Sequence, residues 1–222
     1  MGIVVYTAIV GDNGDVLRQP LCDQPDGVRL VCFTDRKVAD PGVWDVRPLH
    51  KFVRDARRTA RWHKINSHKL FPGDEPVVWA DGSLQLRLPA TRLVEAALAG
   101  DNVLAAFKHP ERNCVYAEHV ACRRLRKDNP LLMQRQMDYY KFAGYPPGNG
   151  LAETGCVVRR PSACEAFENE WWATLDKYSH RDQLSFDFAV WRLKLPYAHL
   201  PGRADKSPHF AFHPHKRRAK RK

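Results

Sequence analysis

The sequence predicts an α/β domain with a mostly parallel central sheet, and two observations carry that expectation. Short β-rich runs alternate with stretches of helical composition, the pattern of strands joined by helical crossovers. Four of the runs end in polar residues, at Gly11-Asp12, Thr34-Asp35, Asp81-Gly82-Ser83 and Lys108-His109-Pro110. Open α/β sheets bind ligands at such carboxyl ends.

Ile3 to Val10 is the first β-rich run, closed by the turn chemistry of Gly11-Asp12-Asn13-Gly14. Val28 to Thr34 is a second and Trp44 to Leu49 a third. Arg54 to Leu70 has helical composition. Val77 to Ala80 is a short apolar strand stopped by Asp81-Gly82-Ser83. Pro89 near the start and Gly100 past the end bracket a helix over Thr91 to Leu98. Val103 to Phe107 reads as a buried strand, Cys114 to Arg126 and Leu131 to Ala143 as helices, and Cys156 to Val158 as a further strand. Ser162 with Glu165, and Ser179 with Asp182, have capping-box spacing and open helices to about Lys177 and from Arg181 to Lys194. On the last helix Leu184, Phe188, Trp191 and Leu195 form one apolar stripe, and Trp171, Trp172 and Trp191 are expected in the core. One folded domain is expected over residues 1–200, followed by a His-rich and basic tail over 201–222.

The 222 residues are 44% hydrophobic and 27% charged, which excludes a disordered or fibrous chain. Apolar runs such as Ile3 to Val5 fall far short of the roughly 18 residues of a membrane span. The start shows no secretory signal pattern, so a cytoplasmic location with reduced thiols is the expectation. The six cysteines include no C-x-x-C pair. The G-x-x-x-x-G-K-[ST], G-x-G-x-x-G, G-x-S-x-G and H-E-x-x-H motifs are missing. Their absence argues against a P-loop kinase or GTPase, a dinucleotide oxidoreductase, an α/β-hydrolase and a zincin. Net charge is +11, and six of the Lys and Arg residues lie in His215 to Lys222 without an acid. Such a segment attracts nucleic acid, anionic lipid or acidic glycan.

Three patterns point to chemistry. Arg57, Arg61, Lys64 and His68 fall along one stripe of a helix and could hold a diphosphate, whose oxygens match the Arg fork. Asp81 directly after a strand, with Gly82 and Ser83, suits a hard divalent ion bound to a diphosphate. Asp182 stands between Arg181 and Gln183 as either a functional acid or the capping partner of Ser179. Those two roles compete for one carboxylate, so Ser179 discriminates between them. His209, His213 and His215 form a His-rich stretch that suits either metal binding or a plain surface.

The segments YTAIVGDNGD, CFTDR, RxARWHKINSHKLFP, VVWADGSLQL, FKHPERNCVYAE, GLAETGCVVRR and SHRDQLSFDFAVWR occur in that order. Together they resemble a family of small glycosyltransferase-like proteins long catalogued as a domain of unknown function. Its members occur in bacteria and phages and among plant proteins linked to cell-wall polysaccharide. The resemblance covers roughly residues 3–195. It implies a single GT-A-type, Rossmann-like domain, a nucleotide-sugar donor (a UDP-sugar favoured) and Mn²⁺ or Mg²⁺ at a D-x-D-like motif. Thr7, Ala8, Val10 and Asp12 would line the nucleoside pocket, with Asp35 on base or ribose. Arg57, Arg61 and Lys64 would face the diphosphate. Asp81 and Ser83 would take the D-x-D place, with His213 or His215 completing a metal site. His109, Arg112 and Glu153 would border the donor sugar or acceptor, and Asp182 and Gln183 would stand near the reacting carbon. Asp81-Gly82-Ser83 departs from the pattern by keeping only one acid.

The expected activity is transfer of a hexosyl or pentosyl group to an acceptor hydroxyl, on modified DNA or on a polysaccharide. Asp182 would serve as general base in an inverting enzyme, or stand against the sugar face in a retaining one. The competing reading is a non-catalytic nucleic-acid-binding protein that uses the basic tail. A third, hydrolysis of a glycan or lipid, lacks a recognisable nucleophile–base pair.

Overall fold

The structure, a computed structural model, describes residues 2–12 and 15–214. β1 (Ile3–Ile9) is buried along its whole length, as a strand covered on both faces must be. Val4, Tyr6 and Ala8 pack on one face and Ile3 and Val5 on the other. Parallel to it run β2 (Val28–Thr34) and, beyond that, β3 (Asp45–Pro48), with β4 (Val77–Ala80) on its other side. β7 (Ala152–Arg159) lies antiparallel to both β4 and β6 (Leu104–Lys108), and β8 (Tyr197–Leu200) closes the edge parallel to β6. The order is β3-β2-β1-β4-β7-β6-β8, a mostly parallel sheet as the sequence predicts. The reversal of β7 brings its amino end to the rim where β4 and β6 finish. There the Asp81 N–H donates to the Gly155 carbonyl at 2.8 Å.

On the face holding Tyr6 pack α1 (Ala56–Ile65), α2 (Ser67–Leu70), α6 (Pro161–Lys177) and α7 (Gln183–Leu193). The other face is covered by α3 (Ala90–Ala97) and by a two-stranded ribbon, β5 (Leu84–Leu86) against β9 (Phe210–Phe212). α4 (Val115–Arg124) and α5 (Pro130–Phe142) pack on α7 around Tyr140, Tyr145 and Phe188.

Four sequence expectations need correction. The helix expected over Arg54 to Leu70 breaks at Asn66, whose side-chain and backbone N–H groups both donate to the Trp62 carbonyl. A polar side chain that competes for helix carbonyls favours such a stop. His68 therefore leaves the basic stripe and pairs with Glu168. Neither capping box forms. α6 starts with Pro161 in its first turn, and Ser162 donates to Asp74 instead. Ser179 donates to Asp128 at 2.7 Å, which leaves the Asp182 carboxylate free of capping. Finally, the fold does not stop at residue 200. Ala204 and Phe210 are core residues, and β9 anchors the chain back onto β5. The basic run His215 to Lys222 lies outside the described residues.

One buried acid in α7 gives a stability prediction. The Asp187 carboxylate accepts the Ala152 N–H at 2.8 Å, and burial pushes its carboxyl up to about 7 despite that bond. A folded-state value above the unfolded one means that the native state holds the proton more tightly. The stabilisation is complete below about pH 4 and fades as pH rises through about 7. Asp187→Asn should match the parent in acid and exceed it above about pH 8 by up to about 4 kcal/mol. Urea midpoints for both proteins across that range measure the gap, and a gap that stays constant with pH would mean that Asp187 titrates alike in the folded and unfolded chain.

Candidate active site

A cleft of about 370 Å³ opens at the carboxyl ends of β1 and β4. Ala8 and Val10 form part of its floor, with Ala56, Arg57, Ala60 and Arg61 of α1 along one side. Small residues at i and i+4 let the helix approach the strand ends closely. The loop after β1 comes equally near. Gly11 has φ +62°, and a Cβ there would stand 2.9 Å from Ala56 Cβ. Its N–H donates to Asp35 at 3.0 and 3.1 Å, so Asp35 pins this loop and lines a separate groove beside Arg47.

The opposite wall is made by Arg126 and Lys127, past α4, and by His180 and Arg181, before α7. Arg126 sits at φ +50°, the left-handed position beyond a helix end that glycine usually takes. Asp128 ties the two segments together. Its Oδ2 accepts from Ser179 Oγ at 2.7 Å and from the His180 N–H at 2.8 Å. The lining thus carries five fixed cations (Arg57, Arg61, Arg126, Lys127, Arg181) against two acids, Asp15 and Asp81.

Beneath the cleft lies a closed set of charges. Asp182, 2% exposed, accepts from Thr154 Oγ1 at 2.8 Å. It pairs with Arg61 Nε at 3.0 Å and with Lys64 Nζ at 2.6 Å. Burial alone would raise its pKa, but Arg61, Lys64 and Arg181 outweigh burial and hold it well below the carboxylate range. Asp81 Oδ1 accepts from Trp79 Nε1 at 2.7 Å, with Lys64 Nζ at 3.4 Å and Arg61 Nη1 at 3.7 Å. Two carboxylates and two cations therefore neutralise one another. Thr154 and Trp79 carry no charge that would single them out in the sequence, whereas Arg126 and Lys127 stand in the basic run RRLRK.

The sequence-predicted residues divide accordingly. Ala8, Val10, Arg57, Arg61 and Asp81 line the cleft, and Lys64 and Asp182 lie directly under it. Thr7 points to the opposite face of β1, into a small pocket beside Ala80 and Leu84. Asp12 is exposed beside residues 13–14, which are not among those described. Gln183 donates its amide to the Ala152 carbonyl at 2.8 Å, away from the cleft lining. Glu153 receives the Ala204 N–H, and burial raises its carboxyl. His109 Nδ1 accepts from the Glu111 and Arg112 N–H groups at 3.2 and 3.0 Å, so its ring organises that turn, and burial lowers its pKa.

A divalent ion needs oxygen ligands that the surroundings leave available. Asp81 Oδ1 is already shared among an indole N–H, an ammonium and a guanidinium. Ser83 supplies no charge, and its carbonyl accepts the His213 N–H. The His213 ring is hydrogen-bonded to Gln85 Oε1 at 2.7 Å. His215 lies outside the described residues. No three His, Cys, Asp or Glu side chains converge among the described residues. This donor set fits a divalent ion poorly: Asp81 is the one acid in the D-x-D place, and Lys64 and Arg61 already stand beside it.

The comparisons with known proteins agree with this architecture. The chain is 28% identical over 156 residues to the probable hexosyltransferase MUCI70 of Arabidopsis thaliana, covering 65% of this chain and 27% of that protein. It is 25% identical over 221 residues to the alkaline ceramidase TOD1 of the same plant, covering 84% of this chain and 48% of that protein. The chain thus spans less than half of either relative. Among solved structures, mouse xyloside xylosyltransferase 1 matches with TM-score 0.52 at 11% identity, over 90% of this chain and 84% of that one. The glycosyltransferase GlyE of Streptococcus pneumoniae matches with TM-score 0.50 at 14% identity, over 90% of this chain and 45% of that one. These likenesses make the fold that of the GT-A glycosyltransferases. The model of the TOD1/MUCI70 glycosyltransferase-like domain matches residues 34–204, and the chain belongs to that family.

Proposed function

We propose that this chain transfers a sugar from a nucleotide-sugar donor, a UDP-sugar in the first instance, to an acceptor hydroxyl. The observation that carries this is the convergence of five cations on one strand-end cleft above a buried, ionised Asp182. Glycosyl transfer separates charge: the sugar carbon becomes oxocarbenium-like while a diphosphate departs. Arg57, Arg126, Lys127 and Arg181 would hold the diphosphate, where preorganised charge acts most strongly. Asp182 would face the positive sugar carbon. Both of its oxygens are engaged and its carboxyl is held low, so its role is a fixed negative charge rather than a proton acceptor. Its ionisation should therefore leave no acid limb in kcat/KM from about pH 5 to 9.

The exposed run Arg123, Arg124, Arg126 and Lys127 continues from the cleft wall and favours an anionic acceptor. DNA bearing hydroxylated bases is one such acceptor and an acidic polysaccharide another. Faster transfer to a neutral glycan would remove this preference.

Thermal-shift screening of UDP, GDP, CMP and their sugars tests the reading. A ligand at about 100 times its Kd stabilises by about 2.7 kcal/mol. We expect one nucleotide to shift the melting temperature and Arg181→Ala to reduce the shift. Cleavage of a ceramide amide with no nucleotide binding would favour hydrolysis and overturn the proposal.

A further inference from the structure

We propose that transfer by this chain needs no divalent ion: its own cations neutralise the departing diphosphate, and Asp81 is a counter-ion for Lys64 and Arg61. This rests on the nucleotide-sugar reading and deepens it.

The geometry supplies three reasons. First, Lys64 Nζ lies 2.6 Å from Asp182 and 3.4 Å from Asp81, and it is 1% exposed. An ammonium thus bridges the two carboxylates and already supplies positive charge beside Asp81. A dication beside Asp81 would meet both Lys64 and Arg61, with twice the repulsion of a single charge. Second, the indole of Trp79 donates to Asp81 Oδ1 at 2.7 Å, and Lys64 Nζ lies 5.8 Å from the centre of that ring. The first contact fixes Asp81, and the second keeps the Lys64 ammonium beside it. Third, the cleft charge is sufficient without metal. With Arg61 and Lys64 already matched by Asp81 and Asp182, the lining still presents Arg57, Arg126, Lys127 and Arg181 against Asp15 alone. That excess of three matches the charge of a released nucleoside diphosphate.

The step balances with these groups. The bond from the sugar carbon to the β-phosphate oxygen breaks, and its electron pair leaves with the diphosphate. The acceptor oxygen bonds to the sugar carbon, and the acceptor proton passes to the departing phosphate oxygen.

Calorimetric titration of the full chain with UDP and GDP, in EDTA and in excess Mn²⁺, tests the proposal. The Asp81→Asn protein is titrated in parallel. The expected result is a Kd that differs by less than about tenfold between EDTA and Mn²⁺. Asp81→Asn should bind as tightly as the parent or more tightly, because it removes a negative charge that competes with the diphosphate. A metal ligand predicts the opposite sign. Binding that Mn²⁺ tightens by more than about tenfold, and that Asp81→Asn loses, overturns the metal-free proposal but leaves the nucleotide-sugar reading standing. No binding of either nucleotide under both conditions overturns the proposal together with that reading.

Discussion

Asp182→Asn should lower sugar-transfer turnover by about 10²–10³-fold, the scale for removing one preorganised charge from a site of developing charge. The carboxylate is buried and is held by Thr154, Arg61 and Lys64 at 2.6–3.0 Å, so it cannot turn away from the developing positive charge. The substitution preserves shape, and the amide oxygen still accepts from Thr154. The variant loses the negative charge without opening a cavity. Because Lys64 and Arg61 keep Asp81 as a partner, nucleotide binding should survive, and the loss should fall on kcat rather than on KM. Thr154→Val removes only the hydroxyl that aims the carboxylate and should cost less, about tenfold. Normal turnover in a soluble, nucleotide-binding Asp182→Asn protein would reduce the residue to a helix start.

The residues that show why this site was partly legible are those on strands and regular helices. β1 and β4 are apolar runs broken by Gly11-Asp12 and Asp81-Gly82, so the rim and its acid follow from turn chemistry. Arg57, Arg61 and Lys64 follow from helix periodicity, which holds because α1 is regular up to Ile65. His68 fails the same rule because Asn66 stops the helix, and the stop depends on a side-chain bond to Trp62 that spacing cannot reveal. Ser179 and Asp182 have capping-box spacing, but tertiary partners outcompete the local bond. Asp128 takes the hydroxyl, and Lys64 and Arg61 take the carboxylate. Arg126 and Lys127 are brought to the cleft by the packing of α4 and α5 on α7, which has no local signature. β9 belongs to a segment whose composition reads as a tail. Its alternation covers only three residues, and its pairing with β5 spans the length of the fold.

The position of Lys64 depends in turn on a second buried charge pair, and Glu168→Gln should expose that dependence. Arg159 and Glu168 are both fully buried, with Nε to Oε1 at 2.6 Å. Glu168 also accepts from Ser67 Oγ and from the His68 N–H, at the break between α1 and α2. Arg159 reaches the Tyr6 hydroxyl and the Lys64 carbonyl, and Tyr6 donates to that carbonyl at 2.9 Å. The network therefore fixes the backbone of the residue whose ammonium bridges Asp81 and Asp182. Breaking a buried pair from one side leaves an uncompensated charge and costs about 3–5 kcal/mol. At roughly 2–4 °C per kcal/mol for a domain of this size, the melting temperature should fall by about 6–20 °C. Replacing both partners by apolar residues of similar volume, Arg159→Met with Glu168→Leu, should recover most of that loss. It should not recover full turnover, because the Lys64 carbonyl keeps Tyr6 as a donor but loses Arg159. A double variant that regains both stability and turnover would show that the network serves only the core. A single variant melting within about 2 °C of the parent would show that the pair contributes nothing net.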